Sequence, residues 1–336
     1  MTFAGGFIVS MMRTFCAPPT DEAKERIRLL TTAEMMSTLL RLRVEDDDIV
    51  EVAAQWDDFR RDGEWVDLLA ALVVTVERDR GDVDAPLPIW PDLDEAGANG
   101  RFLYLYLFAL CAAGVQEFLA RQGCPEHVVE GTLGVLARHV AIHRRKNTTA
   151  GVDAGWWMLP TLRGEIVDVG CLQFHRVNLG IGTLSPSPWY SDDETARLGV
   201  GFRHGDPSIG IHIPDRSPIT PDRLDETIAE AREVLGRLWP VSRRRLATCQ
   251  TWMLDDHLAN YLSETSNILG FQRRFTLLPV WVEDDADTLE FVFRSPGTAL
   301  ADLPRATTLQ RAILEVLESG GHWRARTGWF DFDALP

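Results

Sequence analysis

The chain has 336 residues, 45% hydrophobic and 25% charged, with a formal net charge of −16. That size and mix predict a globular protein with cores large enough for two domains. The charge argues against a nucleic-acid partner, because such proteins carry a basic face and Arg243-Arg244-Arg245 is too short a cluster to supply one.

The start, Met1 to Ser10, lacks the basic flank of a signal peptide, and Met11 or Met12 is an alternative start. Five cysteines, Cys16, Cys111, Cys124, Cys171 and Cys249, form no CxxC pair, which fits a reducing cytoplasm and gives no structural metal site. Apolar residues at spacings of three and four predict helices over Asp21–Arg43, Asp48–Arg61, Glu64–Arg80, Phe102–Arg121 and Pro125–Arg145. Phe102 to Val115 is the longest apolar run and is too short to span a bilayer, so a buried helix and no membrane partner are expected. Pro86, Pro88 and Pro91 mark a loop between the third and fourth helices. The small, polar stretch Asn147 to Gly155 reads as a linker, placing a boundary near residue 150 between a helical domain, 1–150, and a second domain, 151–336.

After that linker Trp156 to Leu159 reads as a short helix, and Glu165–Val177 and Leu198–Arg203 read as strands. Gly205-Asp206 is a hairpin turn by composition, so 199–213 is expected to form an antiparallel pair. Ser208–Ile213 is then a strand, Pro221–Leu238 a helix, Leu246–Leu254 a strand and Asp255–Phe271 a helix. Phe275–Val282 and Thr288–Arg294 read as a closing strand pair about the acidic turn Glu283-Asp284-Asp285. Thr308–Glu318 is the last expected helix, stopped by Gly320-Gly321. This order describes an α+β (α/β) protein, a helical N-terminal domain followed by a mixed sheet with flanking helices and a crevice at the carboxyl ends of its strands.

Cys249 to Leu258 and Ser266 to Phe275, with Leu172-Gln173-Phe174 and Ile211-His212-Ile213-Pro214, resemble bacterial acyltransferase-like proteins that pair a helical N-acyltransferase N-terminal domain with a GNAT-like C-terminal domain. The resemblance covers essentially the whole chain, more specifically after residue 155. It implies an acyltransferase that uses acetyl-CoA or another acyl-CoA as co-substrate and an amine of a small molecule or peptide as acceptor. It also implies that the cofactor's pyrophosphate lies on the turn from Pro214 to Asp222, at the start of the next helix, where free N–H groups favour an anion. Pro214, Arg216, Ser217, Thr220 and Arg223 are the cofactor-binding candidates there, and Asn267 is a sixth. This turn departs from the usual glycine-containing loop: Pro218 and Pro221 lack an N–H, and Asp215 and Asp222 repel phosphate. A non-catalytic ligand- or partner-binding module on the same fold is therefore the competing reading.

Acyl transfer to an amine needs a base and donors for the thioester carbonyl. His212, on the central strand just before the cofactor turn, is the first candidate base, by virtue of a pKa normally near neutrality. Gln173 and His175 alternate onto one face of their strand and reach the same groove if the strands pair. Asp255 is a catalytic candidate and equally a helix cap. Tyr261 is a candidate acid, and Trp252 is either an acyl-binding wall or core. Cys249, with no charge nearby to lower its pKa, reads as a structural thiol. His139 and His143 have the i, i+4 spacing of a metal pair but no third ligand, so no metal is expected.

Overall fold

The computed structural model describes residues 16–86, 90–91, 93–179, 205–214, 218–240, 245–295 and 297–334. The expected strand over 198–203, and with it the first half of the 199–213 hairpin, lies outside the described residues. The chain divides into two compact units, Met1–Val167 and Asp168–Pro336.

The first unit is helical: α1 (Asp21–Leu29), α2 (Thr32–Arg41), α3 (Asp46–Phe59), α4 (Gly63–Arg78), α5 (Ala98–Arg121), α6 (Glu126–Leu133), α7 (Val135–Asn147) and α8 (Leu159–Leu162). The single helix expected over Asp21–Arg43 is two. Leu30 is extended, and Thr31 starts a new helix through a capping box with Glu34. Likewise Pro125–Arg145 is interrupted at Gly134, whose N–H closes α6 on Glu130. α5 is apolar on all sides, and its 24 residues are enough by length and composition to cross a membrane. Here it is the core helix of its unit, burying Phe102, Leu103, Leu105, Tyr106 and Phe108. The Tyr106 ring stands edge-on to Trp56 at 4.7 Å and its hydroxyl donates to the Val52 carbonyl at 2.9 Å.

The second unit is built on one six-stranded sheet: β1 (Ile166–Val169, which begins at the end of the first unit), β2 (Leu172–Asn178), β3 (Pro207–His212), β4 (Leu246–Thr251), β5 (Thr276–Glu283) and β6 (Arg324–Asp331), in the spatial order β1-β2-β3-β4-β6-β5. β3 has β2 antiparallel on one edge and β4 parallel on the other. The strand expected over Glu165–Val177 folds back at Gly170 into β1 and β2.

α9 (Pro221–Leu238) connects β3 to the parallel β4, with the predicted bounds. It buries Leu224, Ala231, Val234 and Leu235, and Arg232 donates to the Phe332 carbonyl at 2.7 Å just beyond β6. Three further helices, α10 (Asn267–Gln272), α11 (Asp285–Phe293) and α12 (Thr308–Glu318), complete the unit.

Two expectations fail here. Thr288–Arg294 is no strand: Asp284 caps α11 by accepting from the Asp287 N–H, and acids fill its first turn, which outweighs the alternating pattern of the segment. The partner of β5 is instead β6, a strand that the apolar pattern did not reveal. The helix expected over Asp255–Phe271 is a short 3-10 turn, Asp256–Asn260, followed by α10, which Ser266 caps afresh.

Candidate functional site

The candidate site grows from the β2–β3 register, in which Gln173 faces His212 and His175 faces Gly210. Directly opposed residues of an antiparallel pair share a face, so Gln173, His175 and His212 lie together as their alternation implied. The two imidazoles meet beside Gly210. His212 Nε2 lies 3.4 Å from His175 Nδ1, with ring centroids 5.5 Å apart. A Cβ on Gly210 would lie 3.4 Å from the His175 Cβ and 3.5 Å from His212 Nε2, ordinary contact distances.

The pair is sheltered, His175 being 3% exposed and His212 half-buried. The near-neutral pKa that recommended His212 is not what these surroundings give it. Burial, and secondarily the neighbouring His175, push it down to about 3. His212 is therefore a neutral imidazole at neutral pH, and of the two facing nitrogens one carries the hydrogen.

Next to this pair the sheet opens. β3 and β4 are paired from Ser208–Leu246 to Gly210–Thr248. Both strands then continue, β3 to His212 and β4 to Thr251, but β4 remains paired only with β6. The result is a wedge at the carboxyl ends of two parallel strands, flanked by the histidine pair, the usual location of a ligand in such sheets. Beyond β3 the described residues include half-buried Pro214 and, after 217, Thr220 at the start of α9. Arg216 and Ser217 lie outside the described residues. Thr220 has the extended backbone of an N-cap, yet its hydroxyl makes no capping bond, and Arg223 is exposed on the first turn.

Asn267 opens α10, which packs beside this helix start, and the cation brought there is one the sequence analysis passed over. Arg274 donates to the Pro221 carbonyl at 3.2 Å and pairs with Asp225 at 2.6 Å. The adjacent Arg273-Arg274 in the quoted motif was the available signal.

The remaining candidates have structural partners. Asp255, fully buried, accepts from the His257 N–H at 3.0 Å and from the Arg324 N–H at 2.9 Å, joining the end of β4 to the start of β6. Burial raises its pKa against the pull of those two bonds. Ligand-type atoms of Asp255, Asp256 and His257 lie within 4.8 Å of one another. The Asp255 oxygens are nevertheless taken by N–H groups, and Asp256 pairs with Arg326 at 2.7 Å.

Tyr261 packs against Trp323, its ring centroid 6.1 Å away, and Trp252 joins the core of Leu258, Leu269, Phe293, Ile313 and Trp323. Burial pushes the Cys249 thiol up to about 12, so it is inert at neutral pH.

In the helical unit, His139 Nδ1 bonds the Asp153 carbonyl at 2.6 Å, and His143 bonds the Thr149 carbonyl and the Asp94 carboxylate, both at 3.0 Å. The i, i+4 histidines thus tie down the loops on either side.

Two family models cover most of the chain: an N-acyltransferase N-terminal domain over residues 33–164 and a GNAT-like C-terminal domain over residues 166–330. No curated protein matches by sequence. Among solved structures, an acyltransferase in complex with CoA and 10C-teicoplanin is 32% identical, with 96% of this chain and 94% of that one covered and a TM-score of 0.80. An acyltransferase in complex with decanoyl-CoA and teicoplanin matches with 32% identity, 96% and 94% coverage and a TM-score of 0.79. A third, in complex with decanoyl-CoA, is 32% identical, with 97% and 94% covered and a TM-score of 0.80.

Proposed function

This chain belongs to the acyltransferase family that joins an N-acyltransferase N-terminal domain to a GNAT-like C-terminal domain and is a coenzyme A-dependent acyltransferase; we propose that it moves a medium-length acyl group from acyl-CoA onto an amine of a glycopeptide or peptide-like acceptor. The observation that carries the proposal is the pairing of decanoyl-CoA with teicoplanin on a protein matched over nearly all of this chain. The wedge between β3 and β4 supports it, because it offers a thioester a place beside the histidine pair. Five free thiols support a reducing, cytoplasmic setting.

In this reading the acceptor nitrogen attacks the thioester carbonyl carbon, a C–N bond forms, and the C–S bond breaks to release the CoA thiolate. The amine gives up a proton to the His175–His212 pair, directly or through one water, and the proton passes on to the thiolate. We assign proton acceptance to the pair rather than to His212 alone. A ring held neutral by burial keeps its lone pair but is a weak base, and the 3.4 Å approach of His175 Nδ1 gives the proton a second nitrogen to occupy.

The test is incubation with decanoyl-CoA and teicoplanin, following free thiol and the acylated product by mass spectrometry. The expected result is release of one CoA per acyl group transferred, reduced about 100-fold or more in His175→Ala. Tight CoA binding without turnover would instead favour the binding-module reading that the glycine-poor turn suggested.

A further inference from the structure

The strand registers define a row across the sheet. Gln173 on β2 faces His212 on β3, Gln250 on β4 faces Thr327 on β6, and His212 and Gln250 each stand two residues past the last β3–β4 pair, Gly210–Thr248. Opposed residues share a face, and so do positions two apart on one strand, so Gln173, His212, Gln250 and Thr327 all lie on one face of the sheet at the level where the wedge opens.

One end of this row is a buried hydroxyl without a partner. Thr327 is 2% exposed, and its hydroxyl has no hydrogen-bond partner among the described residues. Gln173, at the other end of the row, is 5% exposed and faces His212. Buried polar groups are ordinarily paired, and leaving one unpaired costs free energy that a folded protein normally avoids. Such a group, at the level of the histidine pair, points to a molecule that supplies the missing partner. Two residues along β6, half-buried Trp329 lies on the same face and offers an apolar wall.

We propose that Thr327 is a substrate-positioning residue, whose hydroxyl, with the Gln173 carboxamide at the other end of the row, holds polar groups of the acceptor against the sheet. This inference rests on the acyl-transfer reading and deepens it. The chemistry of the two groups sets the class of acceptor. A hydroxyl and a carboxamide each both donate and accept, which suits the amide and hydroxyl groups of a peptide-like or sugar-bearing amine and does not discriminate by charge.

Thr327→Val separates this role from a structural one, because it keeps the shape and removes the hydroxyl. Were the hydroxyl part of the fold, its loss would lower the melting temperature. If it serves a ligand, the empty protein melts at the same temperature or higher, since an unpaired buried group is gone. The experiment compares wild type, Thr327→Val and Thr327→Ser by thermal melting, by calorimetric titration with decanoyl-CoA, and by acceptor kinetics with teicoplanin, a short peptide amine and glucosamine.

For Thr327→Val the expected results are an unchanged or raised melting temperature, unchanged decanoyl-CoA affinity, an acceptor KM raised about three- to tenfold and kcat little altered, with Thr327→Ser restoring the KM. A lower melting temperature, an unchanged KM or weakened decanoyl-CoA binding in Thr327→Val each overturns the proposal, as does a wild type that transfers to none of the three amines. A wild type that fails to bind decanoyl-CoA overturns the acyltransferase reading itself. The melting comparison then still judges whether Thr327 is structural.

Discussion

At the scale of single residues, the histidine pair ties chemistry to stability. His212 has a folded pKa of about 3, against roughly 6.5 for an unfolded chain. As pH falls from roughly 6.5 toward 3, the unfolded chain takes up a proton that folded His212 refuses, so this group withdraws stability through that window and leaves it untouched above it. Thermal melts from pH 7.5 to 4 should therefore show a shallower decline for His212→Asn than for wild type, and parallel curves would mean that His212 titrates normally in the folded protein. The pair itself was legible in the sequence, because alternation along β2 put Gln173 and His175 on one face and the β3 segment was unambiguous. Its pKa was not legible, since burial is a property of packing. Nor was Thr327, because seeing it required knowing that β6 exists and which strand it adjoins.

At the scale of elements, local signals succeeded wherever an element carried its own caps and period. α9 and α12 match their expected bounds, and α12 begins with a capping box between Thr307 and Gln310. They failed where the decisive partner was distant. Arg324–Asp331 contains Gly328 and three charged residues and reads as a weak strand, yet it is held by pairing with β4 on one side and β5 on the other. The turn between β1 and β2 has a stricter requirement. Gly170 has φ +55°, and a Cβ there would come within 2.1 Å of the Thr227 hydroxyl, which accepts the Cys171 N–H. Gly170→Ala should cost about 1–2 kcal/mol for the left-handed backbone and about 1–3 kcal/mol for overpacking, read as a lower midpoint in urea. A midpoint within error of wild type would show that α9 can shift away from the turn.

At the scale of the whole molecule, the net charge of −16 makes self-repulsion a standing cost. Raising NaCl from about 0.05 to 0.5 M shortens the screening length to a few ångströms, so the melting temperature should rise by several degrees. A fall instead would mean that ion pairs such as Lys24–Asp67, at 2.9 Å, outweigh the repulsion. The division into a helical part and a mixed sheet was legible because the apolar period changes along the chain. The order of strands was not, since sequence proximity favours a β5 hairpin with its immediate successor and that successor turned out to be α11.

That strand order bears on the way the protein is made. During synthesis β4 and β5 emerge well before β6, the strand that sits between them, so each waits with an unpaired edge while α11 and α12 are still being added. The nascent chain therefore passes through a stage in which the sheet is split into two pieces with open edges, the condition most inviting to mispairing between neighbouring chains on one messenger. A ribosome that stalls between Phe293 and Trp323 leaves the sheet without an interior strand, a defect that no adjustment at its rim can mend.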